Sequence, residues 1–275
     1  MACSPNSGHN RPLTRFGRVI LLGIPLLSGC SELGPVSHIP PFARVPYEPF
    51  SRAAVVAIAL REWRLFGEKT GGQAEGDKPE RDQGLWQRVG EYWWLGLNRD
   101  APEVGWTGKH DGNGKVFPPE DDGDYAWSAA FISYVMRIAG AAGAFPYAAD
   151  HAFYMNAAKR MTLGTDHGWL VSAERPEAYA PVPGDLICHG RGRAASLRYD
   201  DLPTPALFPA HCDIVVGMPK PGIISVIGGN IADAVTMRDI PVTADGKLAR
   251  PDGVVLDQDQ TWMAVLRMHE AASGS

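Results

Sequence analysis

The chain has 275 residues and a formal net charge of −5, with 31 acidic against 26 basic side chains and no block of basic residues. That balance argues against nucleic acid as a partner. The 45% apolar and 21% charged content is that of an ordinary globular protein, and no internal repeat or low-complexity array is present.

In chain order, Arg11, Arg15 and Arg18 come first, then the apolar run 19–27, then Leu27-Ser28-Gly29-Cys30. A positive flank, a short apolar stretch and small residues at the cut predict an export signal over residues 1–29. The run is shorter than the roughly 20 residues that cross a bilayer. Leu27-Ser28-Gly29-Cys30 resembles the bacterial lipobox. That resemblance implies cleavage before Cys30 and acylation (palmitate) of Cys30, so that a membrane is the expected partner through a lipid anchor. Ser31, where an inner-membrane lipoprotein carries aspartate, points to the outer membrane, facing the periplasm. The alternative is a secretory signal with an incidental cysteine.

Pro35, Pro40, Pro41, Pro46 and Pro49 predict an extended tether over residues 30–49, followed by a single globular domain over residues 50–275. Val56, Ala59, Leu60, Trp63 and Phe66 recur at helical spacing behind Ser51, predicting a helix over residues 51–67. Residues 67–83 read as a solvent loop. Leu85, Val89, Tyr92, Trp93 and Leu97 predict a second helix, and the irregular stretch 98–124 is expected to cover a groove. Helices over 127–142 and 149–160 follow. Short β-branched and apolar runs then predict strands at 185–189, 211–216, 223–227, 234–240 and 261–268. Helices first and strands afterwards give an α+β domain, its N-terminal helices packed on a mainly antiparallel sheet of about five or six strands.

Four cysteines occur. Cys3 leaves with the signal and Cys30 is the lipidation site. Export makes a Cys188–Cys212 disulfide possible, with two buried thiols as the alternative.

Three motifs fall where chemistry is placed. Trp127-Ser128-Ala129-Ala130-Phe131 opens the third helix, Pro183-Gly184-Asp185-Leu186-Ile187 opens the first strand, and His211 starts the second, before Gly228-Gly229-Asn230 closes the third. Over residues 120–240 this order resembles the papain-like cell-wall hydrolases of the CHAP and NlpC type. The resemblance implies their fold, with Ser128 at the nucleophile position, His211 as base and Asn230 as its orienter. Trp127-Ser128-Ala129-Ala130-Phe131-Ile132-Ser133 and Gly228-Gly229-Asn230 also resemble an uncharacterised bacterial family, a domain of unknown function, which implies no activity.

Serine stands where those hydrolases need cysteine. A thiol reaches thiolate near neutral pH at a helix N-terminus; a hydroxyl needs a close base and an oxyanion hole. Each candidate also has a structural reading. Ser128 suits a helix start, and Asn230 suits a turn behind two glycines. Asp213 shares a strand face with His211, as a triad partner or as an exposed charge. Trp127, His151 and Arg191 are groove-lining candidates, and Arg191 with Arg193 could clamp a carboxylate or phosphate. Cys212 points away from His211 by strand alternation, against a nucleophilic role.

No cofactor and no metal is expected. No Cys/His spacing suggests zinc. In Asp111-Gly112-Asn113-Gly114, Lys115 stands where a calcium loop needs an oxygen ligand, and Glu120, Asp121, Asp122 and Asp124 read as a solvated acidic turn. Two functions follow. One is an amide hydrolase acting on peptidoglycan peptides. The other is a non-catalytic module binding cell wall or envelope proteins.

Overall fold

The computed structural model describes residues 48–71 and 77–270, all in the second of the two units into which the chain divides, Tyr47–Ser275. The expected signal, the expected lipidation site Cys30, Cys3 and the expected tether up to residue 47 lie outside the described residues.

Helix α1 (Arg52–Leu65) starts where Ser51 caps it, its Oγ accepting from the Ala54 N–H at 3.1 Å. It buries Val55, Ile58 and Ala59, and also Glu62. That carboxylate takes two hydrogen bonds from Arg88 at 2.6 Å and one from the Tyr92 hydroxyl at 2.8 Å, so α1 is tied to α2 (Leu85–Gly96) by a fully satisfied buried charge. Burial alone would raise the Glu62 carboxyl; Arg88, Arg61 and Tyr92 outweigh it and hold it below its usual range.

Helix α3 (Ser128–Ile138) is the central one, buried from Ser128 to Met136. It ends four residues earlier than its sequence suggests. Gly140 takes a φ of +91°, and a Cβ there would lie 2.7 Å from the Glu48 carbonyl oxygen, so the chain turns out of the helix instead. Helix α4 (His151–Thr162) begins behind Asp150, whose carboxylate accepts from the Ala152 N–H at 2.7 Å.

Six antiparallel strands follow: β1 (Val171–Glu174), β2 (Leu186–Gly190), β3 (Ala210–Lys220), β4 (Ile223–Ile231), β5 (Ala234–Pro241) and β6 (Trp262–Met268). They are ordered β1-β6-β2-β3-β4-β5. The α+β class and the antiparallel sheet agree with the sequence reading. Strand β1 was not expected, because four residues carry too little alternation to read.

The main core lies between the helices and one sheet face and includes Phe131, Ile132, Val135, Ile214 and Leu266. A smaller cluster of Ile187, Val215, Val226 and Val265 on the other face is covered by Val242 and Leu248. Asp185 has a structural task. Its carboxylate accepts from the Val182 and Met268 N–H groups and the Tyr179 hydroxyl, pinning the start of β2 to the end of β6. Cys188 and Cys212, directly opposite in the β2–β3 register with Cα atoms 4.2 Å apart, are joined in a disulfide.

Candidate active site

Ser128 is the first residue of α3, and the helical ladder begins with the Phe131 N–H on the Trp127 carbonyl. The N–H groups of Ala129 and Ala130 therefore lie outside that ladder, at the positive end of the helix dipole. The Ser128 side chain lines a cavity of about 600 Å³. Its Oγ lies 2.7 Å from His151 Nε2, and His151 Nδ1 is hydrogen-bonded to the Tyr154 hydroxyl. Tyr154 lies one turn along α4 from His151, so a single helix supplies both groups. Nε2 accepts from Ser128 in the tautomer whose Nδ1–H donates to the Tyr154 hydroxyl, and donates to Ser128 in the other. Burial, and secondarily the neighbouring His211, push His151 well below the ordinary imidazole range, so the ring is neutral at physiological pH.

His211 had been expected as the partner of Ser128. The structure places His151 there instead, because the first residue of α4 reaches the first residue of α3. His211 stands behind His151, ring centroids 5.3 Å apart, and lines a smaller neighbouring cavity of about 170 Å³. Its Nε2 donates to Asp213 Oδ1 at 3.3 Å, while the buried Nδ1 has no hydrogen-bond partner among the described residues. Asp213 is fully buried, not an exposed strand charge, and its other oxygen accepts from Arg238 at 2.7 Å. Burial opposes ionisation of Asp213, but His211 and Arg238 outweigh it and hold the carboxyl far below its usual range. His189, opposite His211 on β2, is lowered to about 4 by burial and by His211.

Asn230 makes no hydrogen bond to His211; Asp213 holds that ring. Asn230 takes a φ of +56° within β4, where the β4–β5 register shifts between Gly228 and Ile231, and it lines both cavities. The two glycines before it are required by packing. A Cβ on Gly228 would sit 2.1 Å from Asp213 Oδ1, and one on Gly229 would sit 2.7 Å from Phe131 Cβ.

Among the groove-lining candidates, His151 and Arg191 do line the larger cavity. Trp127 does not. It is 1% exposed, with its indole N–H donating to Glu80 Oε2 at 2.6 Å. Glu80, expected in a solvent loop, is buried, and its carboxyl is pushed up to about 8 by burial and by Asp233 and Asp122. Asp122 leaves the expected solvated turn in the same way, buried and paired with Arg81 and Lys78. The loop reading missed both because flanking charge and glycine hid single buried carboxylates.

Glu80, Asp122 and Asp233 present oxygens within 4.8 Å of one another, a spacing that could hold a metal ion. Here the Lys78 ammonium lies 2.9 Å from both Asp122 and Asp233 and supplies the positive charge itself. Asp111, the start of the calcium-like stretch, accepts from the Asn113 and Lys115 N–H groups and so stabilises a turn.

No curated protein and no solved structure matches the chain. The model of a family described as an uncharacterized protein conserved in bacteria (DUF2272) matches residues 80–268, a span holding Glu80, Ser128, His151, His211, Asp213 and Arg238. The chain belongs to that family of bacterial proteins.

Proposed function

We propose that the protein is an envelope lipoprotein, anchored through Cys30 to the outer membrane and facing the periplasm, whose papain-like domain of CHAP type hydrolyses amide bonds in peptidoglycan peptides. The observation that carries the catalytic part is the 2.7 Å contact between Ser128 Oγ and a neutral, buried His151 at a cavity. A hydroxyl becomes a useful nucleophile only beside such a base. The order of helix-start residue, Pro-Gly-Asp strand start and strand-opening histidine supports the fold analogy, with His151 rather than His211 on the hydroxyl.

In the forward step Ser128 Oγ attacks the amide carbonyl carbon and its proton passes to His151 Nε2. The oxyanion that forms meets N–H groups at the start of α3. His151 then gives the proton to the leaving amine as the C–N bond breaks. A water, deprotonated by His151, cleaves the acyl-serine and restores the hydroxyl. The step uses the tautomer in which His151 Nδ1–H donates to the Tyr154 hydroxyl.

Incubation of the purified chain with peptidoglycan fragments, with new amines counted by mass spectrometry, tests this reading. Ser128→Ala is expected to lower product formation by at least about a thousandfold. Equal product from both proteins removes Ser128 as nucleophile; product from neither favours the binding-module alternative.

A further inference from the structure

We propose that Arg191 anchors a carboxylate of the substrate, so that the preferred substrates are peptides with a free carboxylate near the cleaved amide. This rests on the hydrolase reading above and names its substrate class. Among the described residues, the larger cavity is lined by the carboxylates Glu120, Asp122, Asp150 and Asp233 and by two cations, Lys78 and Arg191. Lys78 is committed to Asp122 and Asp233. Arg191 is exposed and, among the described residues, its guanidinium has no ion pair or hydrogen bond.

Its backbone is nonetheless fixed. The Arg191 N–H donates to the Pro209 carbonyl at 2.8 Å, and its own carbonyl accepts from the Ala194 N–H at 2.9 Å. Gly190 permits this tight exit from β2, since a Cβ there would lie 2.0 Å from the Ala194 carbonyl oxygen. A pinned base carrying a planar guanidinium fork with no partner among the described residues is suited to bidentate capture of a carboxylate. Arg191 shares the larger cavity with Ser128 and His151 and also lines the smaller one beside His211, so a group held there lies within the same site as Ser128. Arg193, two residues on, lines neither cavity.

Muropeptides released from purified peptidoglycan, either untreated or with their carboxylates capped as methylamides, supply the probes. Calorimetric titration into the full chain carrying Ser128→Ala measures binding without turnover. The untreated muropeptides are expected to bind about tenfold tighter than the capped ones. Adding Arg191→Ala removes that difference, and adding Arg193→Ala leaves it intact. Equal affinity for both probes, no binding of either, or a preference that survives Arg191→Ala overturns the proposal. Because the readout is binding, a failure of hydrolysis in the product assay stays distinguishable from a failure of carboxylate recognition.

Discussion

Ser128 is held from two directions, its backbone by the start of α3 and its hydroxyl by His151. The groups around that imidazole are His211, Asp213, His189, Arg191 and the Tyr154 hydroxyl. Burial dominates their joint effect and lowers the ring's affinity for a proton. A base must be neutral to accept, so a lowered value extends the active range toward acid. The acid limb of kcat/KM against pH is therefore expected below the ordinary imidazole value of about 6.5. A limb at or above that value would contradict His151 as the base. Residue types at this scale were legible in the sequence, but the pairing was not. Strand alternation correctly puts Asp213 beside His211, whereas the choice between two histidines for Ser128 depends on where α4 lands.

At the scale of elements, helices carried by apolar spacing and strands carried by β-branched runs were readable, because periodicity reports burial directly. Strand β1 and the inward turn at Glu80 were not, since neither has a period. Gly228-Gly229-Asn230 looks like turn punctuation in the sequence. In the fold it lets α3 and β3 approach β4 without side chains between them. Gly229→Ala would drive a methyl into Phe131, and overpacking of this kind costs about 1–3 kcal/mol. Urea unfolding of the variant is expected to show a lowered midpoint with an unchanged slope. An unchanged midpoint would mean that α3 is not seated by this contact.

Across the whole molecule, residues far apart in the chain converge on one place. Lys78 precedes α2, Ser128 opens α3, His151 opens α4, Arg191 follows β2, and Asn230 lies near the end of β4; all five line one cavity. The helices supply the hydroxyl and its base, and the sheet supplies the His211–Asp213–Arg238 row behind them. A polar site assembled from so many elements, fully buried in part, is costly to keep without a use.

Activation of Ser128 by His151 leaves a chemical signature on the hydroxyl. A fluorophosphonate probe, which reacts only with an activated serine, followed by peptide mass spectrometry tests it most directly. A covalent adduct on Ser128 is expected, lost in His151→Ala and retained in His211→Ala. No adduct on Ser128, or an adduct that persists without His151 and disappears without His211, would contradict it.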